Sequence, residues 1–65
     1  MNDYQTTVKE MTAKLSGFTV AELKTQAKVF ANDHSDHANL VIDSILAALE
    51  PKISEREFIR FCNSL

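Results

Sequence analysis

The run from Asp36 to Glu50 constrains this chain more than any other stretch. Leu40, Val41, Ile42, Ile45, Leu46, Ala47, Ala48 and Leu49 follow one another there, with only Asp43 and Ser44 between. Wound into a helix, these side chains cover most of the circumference, and Asn39, Asp43 and Glu50 leave a narrow polar strip. A helix that is apolar most of the way round is a buried one. The chain must therefore supply other elements to wrap it. The same run is too short and too interrupted to span a bilayer.

The wrapping elements are marked by start and stop signals. Tyr4, Val8, Met11 and Leu15 recur at four-three-four spacing, which predicts a first helix from Asn2 or Asp3 to Leu15. Gly17, the only glycine, follows where a helix takes a left-handed terminator. Thr19-Val20-Ala21-Glu22 reads as a capping box, with Phe18 and Leu23 placed to form a hydrophobic staple. The second helix then runs to about Ala31, with Val20, Leu23, Ala27 and Phe30 as its inner stripe. Asn32-Asp33-His34-Ser35-Asp36 breaks the chain, because such residues bond their own backbone. The third helix begins near Asp36 or His37 and ends at Leu49 or Glu50, since Pro51 disfavours helix at the residue before it. Ser54-Glu55-Arg56-Glu57 is a second capping box, with Ile53 and Phe58 as its staple. It opens a fourth helix with Phe58, Phe61, Cys62 and Leu65 on one face and Ile59 at the flank. The expected fold is all-α: a compact bundle of three to four short helices, with the third (about 36–50) central, and residues 1–65 forming a single small helical domain.

At 65 residues such a domain lies near the lower limit for folding alone. Chains of this size often add disulfides, a metal or a second copy. Cys62 is the only cysteine, so no bridge forms within the chain, and its place on an apolar face reads as a buried small hydrophobe. The first thirty residues alternate apolar and charged positions, unlike a secretory leader. A cytoplasmic location is expected, with no membrane partner.

Chemistry-bearing groups are sparse. Asp33-His34-Ser35-Asp36-His37 offers two imidazoles and two carboxylates, all acceptable zinc or nickel ligands. Turn and cap roles account for Asp33, Ser35 and Asp36, and acids suit the positive end of a helix dipole. No metal or other cofactor is therefore assigned. Asp43-Ser44-Ile45, followed by Leu46-Ala47-Ala48-Leu49-Glu50, resembles the Asp-Ser-Leu triplet and recognition helix of acyl and peptidyl carrier proteins. The resemblance implies a phosphopantetheine arm on Ser44. In that family the serine opens its helix after a Gly-containing loop, whereas Ser44 falls inside the third helix's periodicity, and only 21 residues follow it. Ser44 reads instead as a small residue at a helix crossing. One glycine excludes a phosphate-cradling loop, and Cys62 has no evident activating base, so no enzyme is expected.

What remains is binding. A non-enzymatic protein–protein interaction module is expected, a regulator, adaptor or inhibitor whose partner is another protein or itself as a homodimer. Its size suits a phage or mobile-element reading frame. The candidate interface is the fourth helix with the exposed edge of the third: Ile59, Phe61 and Leu65 as anchors, Arg56 and Arg60 on the rim. The rival is a dimeric nucleic-acid-associated protein using Lys24, Lys28, Arg56 and Arg60. Net charge is −2, and 29–50 holds four acids and no Lys or Arg, so a phosphate-neutralising surface is not the expected main business.

Overall fold

A computed structural model describes residues 3–65 as four α-helices: α1 (Asp3–Leu15), α2 (Val20–Ala31), α3 (Asp36–Leu49) and α4 (Glu55–Ser64). A 3₁₀ turn over Glu50–Lys52 links the last two. A start of the first helix at Asn2 lies outside the described residues. The bundle measures 33 × 23 × 17 Å.

Local chemistry explains each helix start. The Thr19 hydroxyl accepts from the Glu22 N–H at 3.1 Å, and the Glu22 carboxylate accepts from the Thr19 N–H at 2.9 Å, closing the capping box. The bonds from Thr19 hold the Glu22 carboxyl below its ordinary range. At α3 the cap is Ser35, whose hydroxyl accepts from the Ala38 N–H at 3.1 Å. Asp33 in turn accepts from the Ser35 N–H at 3.0 Å, which holds its carboxyl low as well. At α4 the Ser54 hydroxyl accepts from the Glu57 N–H at 3.2 Å. The reciprocal bond from Glu57 is not formed, so this start is a single cap rather than a box.

The first and third helices stop where expected, at Leu15 and Leu49, but by other geometry. Gly17 is not left-handed; no described residue has positive φ. The α1 end is closed by the Ser16 N–H to the Thr12 carbonyl and the Phe18 N–H to the Leu15 carbonyl, both 2.9 Å, which require no special φ. Pro51 does not push Glu50 out of helical conformation either, since Glu50 has φ −49° and ψ −47°. Pro51 sits in the first turn of the 3₁₀ segment, where its fixed φ fits and its missing N–H is an orphan anyway. The chain leaves helical geometry only at Ile53.

α3 is central. It buries Ala38, Val41, Ser44, Ile45, Ala48 and Leu49, packs chiefly against α1 and α2, and forms the core with Leu23 and Ala27 of α2 and Phe61 of α4. α1 has no fully buried residue; its Met11 and Leu15 close over the core from outside. Enclosure of α3 is incomplete, because Leu40, Ile42 and Leu46 are only half-buried and Ala47 is exposed.

Candidate interaction surface

The five residues named for the interface do not form one patch. Phe61 is only 6% exposed and belongs to the core, so it is unavailable as an exposed anchor. It is the inner residue of α4, with Phe58 and Cys62 half-buried beside it. Cys62 is thus less enclosed than its sequence context suggested. Ile59 is 51% exposed and Leu65 41%, and Arg56 and Arg60 are exposed. Ile59 shares a notch with Phe58, Glu50 and Glu55, on the side of α4 toward the 3₁₀ turn.

On another side of α4, a groove of about 500 Å³ runs between α2 and α4, lined by Lys24, Lys28, Glu57, Arg60, Phe61 and Ser64. The Lys24 ammonium stands 5.7 Å from the centre of the Phe61 ring, within cation–π range. In the sequence these cations fall as two separate pairs, Lys24 and Lys28 on α2 and Arg56 and Arg60 on α4. The fold brings three of those four cations onto one groove and leaves Arg56 off it. A signal was present: Lys24 and Lys28 each follow a core residue of α2 by one position (Leu23, Ala27), and Arg60 directly precedes Phe61. Cations bordering two inner stripes converge once those stripes meet.

A third groove, about 450 Å³, lies between α1 and α3, with Val8, Thr12 and Ala47 among its walls. At its end the Tyr4 hydroxyl donates to the Asp43 carboxylate. That hydrogen bond, with some burial and the nearby charges of Asp43 and Asp36, raises the Tyr4 pKa above its ordinary value. Thr12 donates to the Val8 carbonyl at 2.6 Å and lies 3.4 Å from the Ser44 carbonyl, where α1 crosses α3.

Ser44 is fully buried at this crossing, and its hydroxyl donates to the Leu40 carbonyl at 2.8 Å. It is closed to a phosphopantetheine arm, in contrast to the serine of the carrier triplet it resembles. Among the described residues, no three His, Cys, Asp or Glu side chains converge to hold a metal; Asp33 is occupied in the turn before α3, and His34 and His37 are exposed. No helix among the described residues is long and apolar enough to cross a membrane. No family model, curated protein or solved structure matches this chain, so its function has to be argued from these surfaces.

Proposed function

We propose that this chain is a small non-enzymatic protein-binding module, a regulator or adaptor, that docks through α4 and the open flank of α3. The supporting observation is the exposure of Ile59 and Leu65 on an end helix carrying Arg56, while α3 leaves Ile42 and Leu46, neighbours along one edge of it, half-uncovered. Apolar anchors with a charged rim are the usual anatomy of a docking face. A second copy of the chain is the simplest partner. Sedimentation equilibrium over a wide concentration range tests this, with Ile59→Glu as the variant because Phe61 is structural. Association that weakens in Ile59→Glu supports the reading. A wild type that stays monomeric and captures no protein that Ile59→Glu fails to capture overturns it.

One observation favours a nucleic-acid reading: Lys24, Lys28 and Arg60 share a groove. Binding to duplex DNA that falls steeply with added salt supports it, and absence of binding at about 50 mM salt eliminates it.

A further inference from the structure

We propose that the α2–α4 groove is a docking site for an acidic segment of a partner protein, one presenting two carboxylates about one helical turn apart. This rests on the protein-binding reading above and names the chemistry of its partner. Lys24 and Lys28 are four residues apart on α2, a rise of about 6 Å, and Arg60 lines the groove from α4. Among the described residues no carboxylate forms an ion pair with Lys24, Lys28 or Arg60. Three cations therefore surround a groove holding one acid, Glu57, on a chain whose net charge is −2. Water and its ions screen them in the free chain, and an anionic partner segment would take that place. Asp36 and Asp43 on α3 and Asp33 before it are not among its walls, so the groove presents an excess of positive charge to an anionic segment.

The groove's details favour a peptide over a phosphate backbone. Glu57 stands within it and would face any phosphodiester laid along α4, whereas a peptide can turn an N–H or hydroxyl donor toward that carboxylate. Phe61 is 6% exposed with Lys24 over its ring, so it offers no open face on which a base could stack. α4 has ten residues and is about 15 Å long, matching a docked segment of about ten residues. A helix laid in such a groove would set its acids at i and i+4 against the two lysines.

The experiment is an NMR titration of the ¹⁵N-labelled chain with three probes: a helical peptide with Glu at i and i+4 flanking Leu, the same peptide with Lys at those positions, and a short DNA duplex. The acidic peptide is expected to shift amides of Lys24, Lys28, Arg60 and Ser64. Lys28→Glu and Arg60→Glu, both at exposed positions, are each expected to weaken it by roughly tenfold or more, with helical circular dichroism unchanged. The Lys peptide should gain affinity for the double variant, an outcome that general loss of structure would not give. Equal binding of the Lys peptide to wild type, shifts away from the groove, or no acidic-peptide binding would overturn the proposal. So would DNA binding in place of the acidic peptide, which would assign the groove to nucleic acid. If Ile59-dependent association survives such a failure, only the groove assignment falls. If both fail, the protein-binding reading falls with it.

Discussion

Phe61 is the one buried side chain of α4 and joins that helix to the core of Leu23, Ala27 and Leu49. Truncating a core phenylalanine costs about 3–5 kcal/mol. A chain of this length has roughly 3–10 kcal/mol in total, at about 0.05–0.15 kcal/mol per residue. Phe61→Ala is therefore expected to leave much of the protein unfolded at room temperature, as read by urea denaturation followed by circular dichroism. A midpoint close to wild type would mean that α4 contributes nothing to the core. Gly17 makes the opposite case. Its φ is not positive, and a Cβ built there meets nothing within 4 Å. Gly17→Ala should leave stability unchanged or raise it by about 0.4–1 kcal/mol, because alanine narrows the unfolded ensemble without straining the native turn. A loss of more than about 1 kcal/mol in thermal melts would restore the left-handed terminator that the sequence suggested.

At the scale of the element, the three helix starts carry most of the polar bonding that the described residues show outside the helices themselves. Thr19→Ala should cost about 1 kcal/mol, since it removes the acceptor for the Glu22 N–H. The same caps make stability depend on acid. Glu22 and Asp33 both titrate lower in the folded chain than their ordinary values. The unfolded chain therefore binds more protons through that window, and stability rises with pH across it. The contribution is complete above the ordinary carboxylate range and disappears as pH falls through the folded values. Urea midpoints measured at descending pH should show this acid limb, and Glu22→Gln should flatten it. An unchanged limb in that variant would remove Glu22 from the account. These starts were legible from sequence because capping is a local bargain between a side chain and a backbone three residues away. The stops were legible in position, at Leu15, Ala31 and Leu49, but not in geometry. Gly17 and Pro51 each permit several turn geometries, and which one forms depends on how α1 and α4 pack on α3. The groove between α2 and α4 was legible least, since it depends on how two helices far apart in sequence set their flanks together.

For the whole molecule, the deciding quantity is how much apolar surface a lone subunit leaves in water. Its accessible surface is 4616 Å², against about 4,200 Å² for a monomer of this mass. Part of what it exposes is apolar: Ile42 and Leu46 are half-buried along one edge of α3, and Ile59 is exposed on α4. Ile42 separates the possibilities well, because it is half-buried yet outside the set of side chains packed on the core. If a second copy covers this flank, melting depends on concentration. Well above the dissociation constant, each tenfold rise adds about 1.4 kcal/mol to the dimer, or about 0.7 kcal/mol per protomer. For a domain of this length that is roughly 3–6 °C in Tm. Ile42→Lys should abolish the concentration dependence while leaving the Tm of dilute protein nearly unchanged, since it removes a contact between subunits and not one within the core. A wild-type Tm that stays constant over several decades of concentration would show that the open flank of α3 tolerates water, and self-association would lose its physical motive.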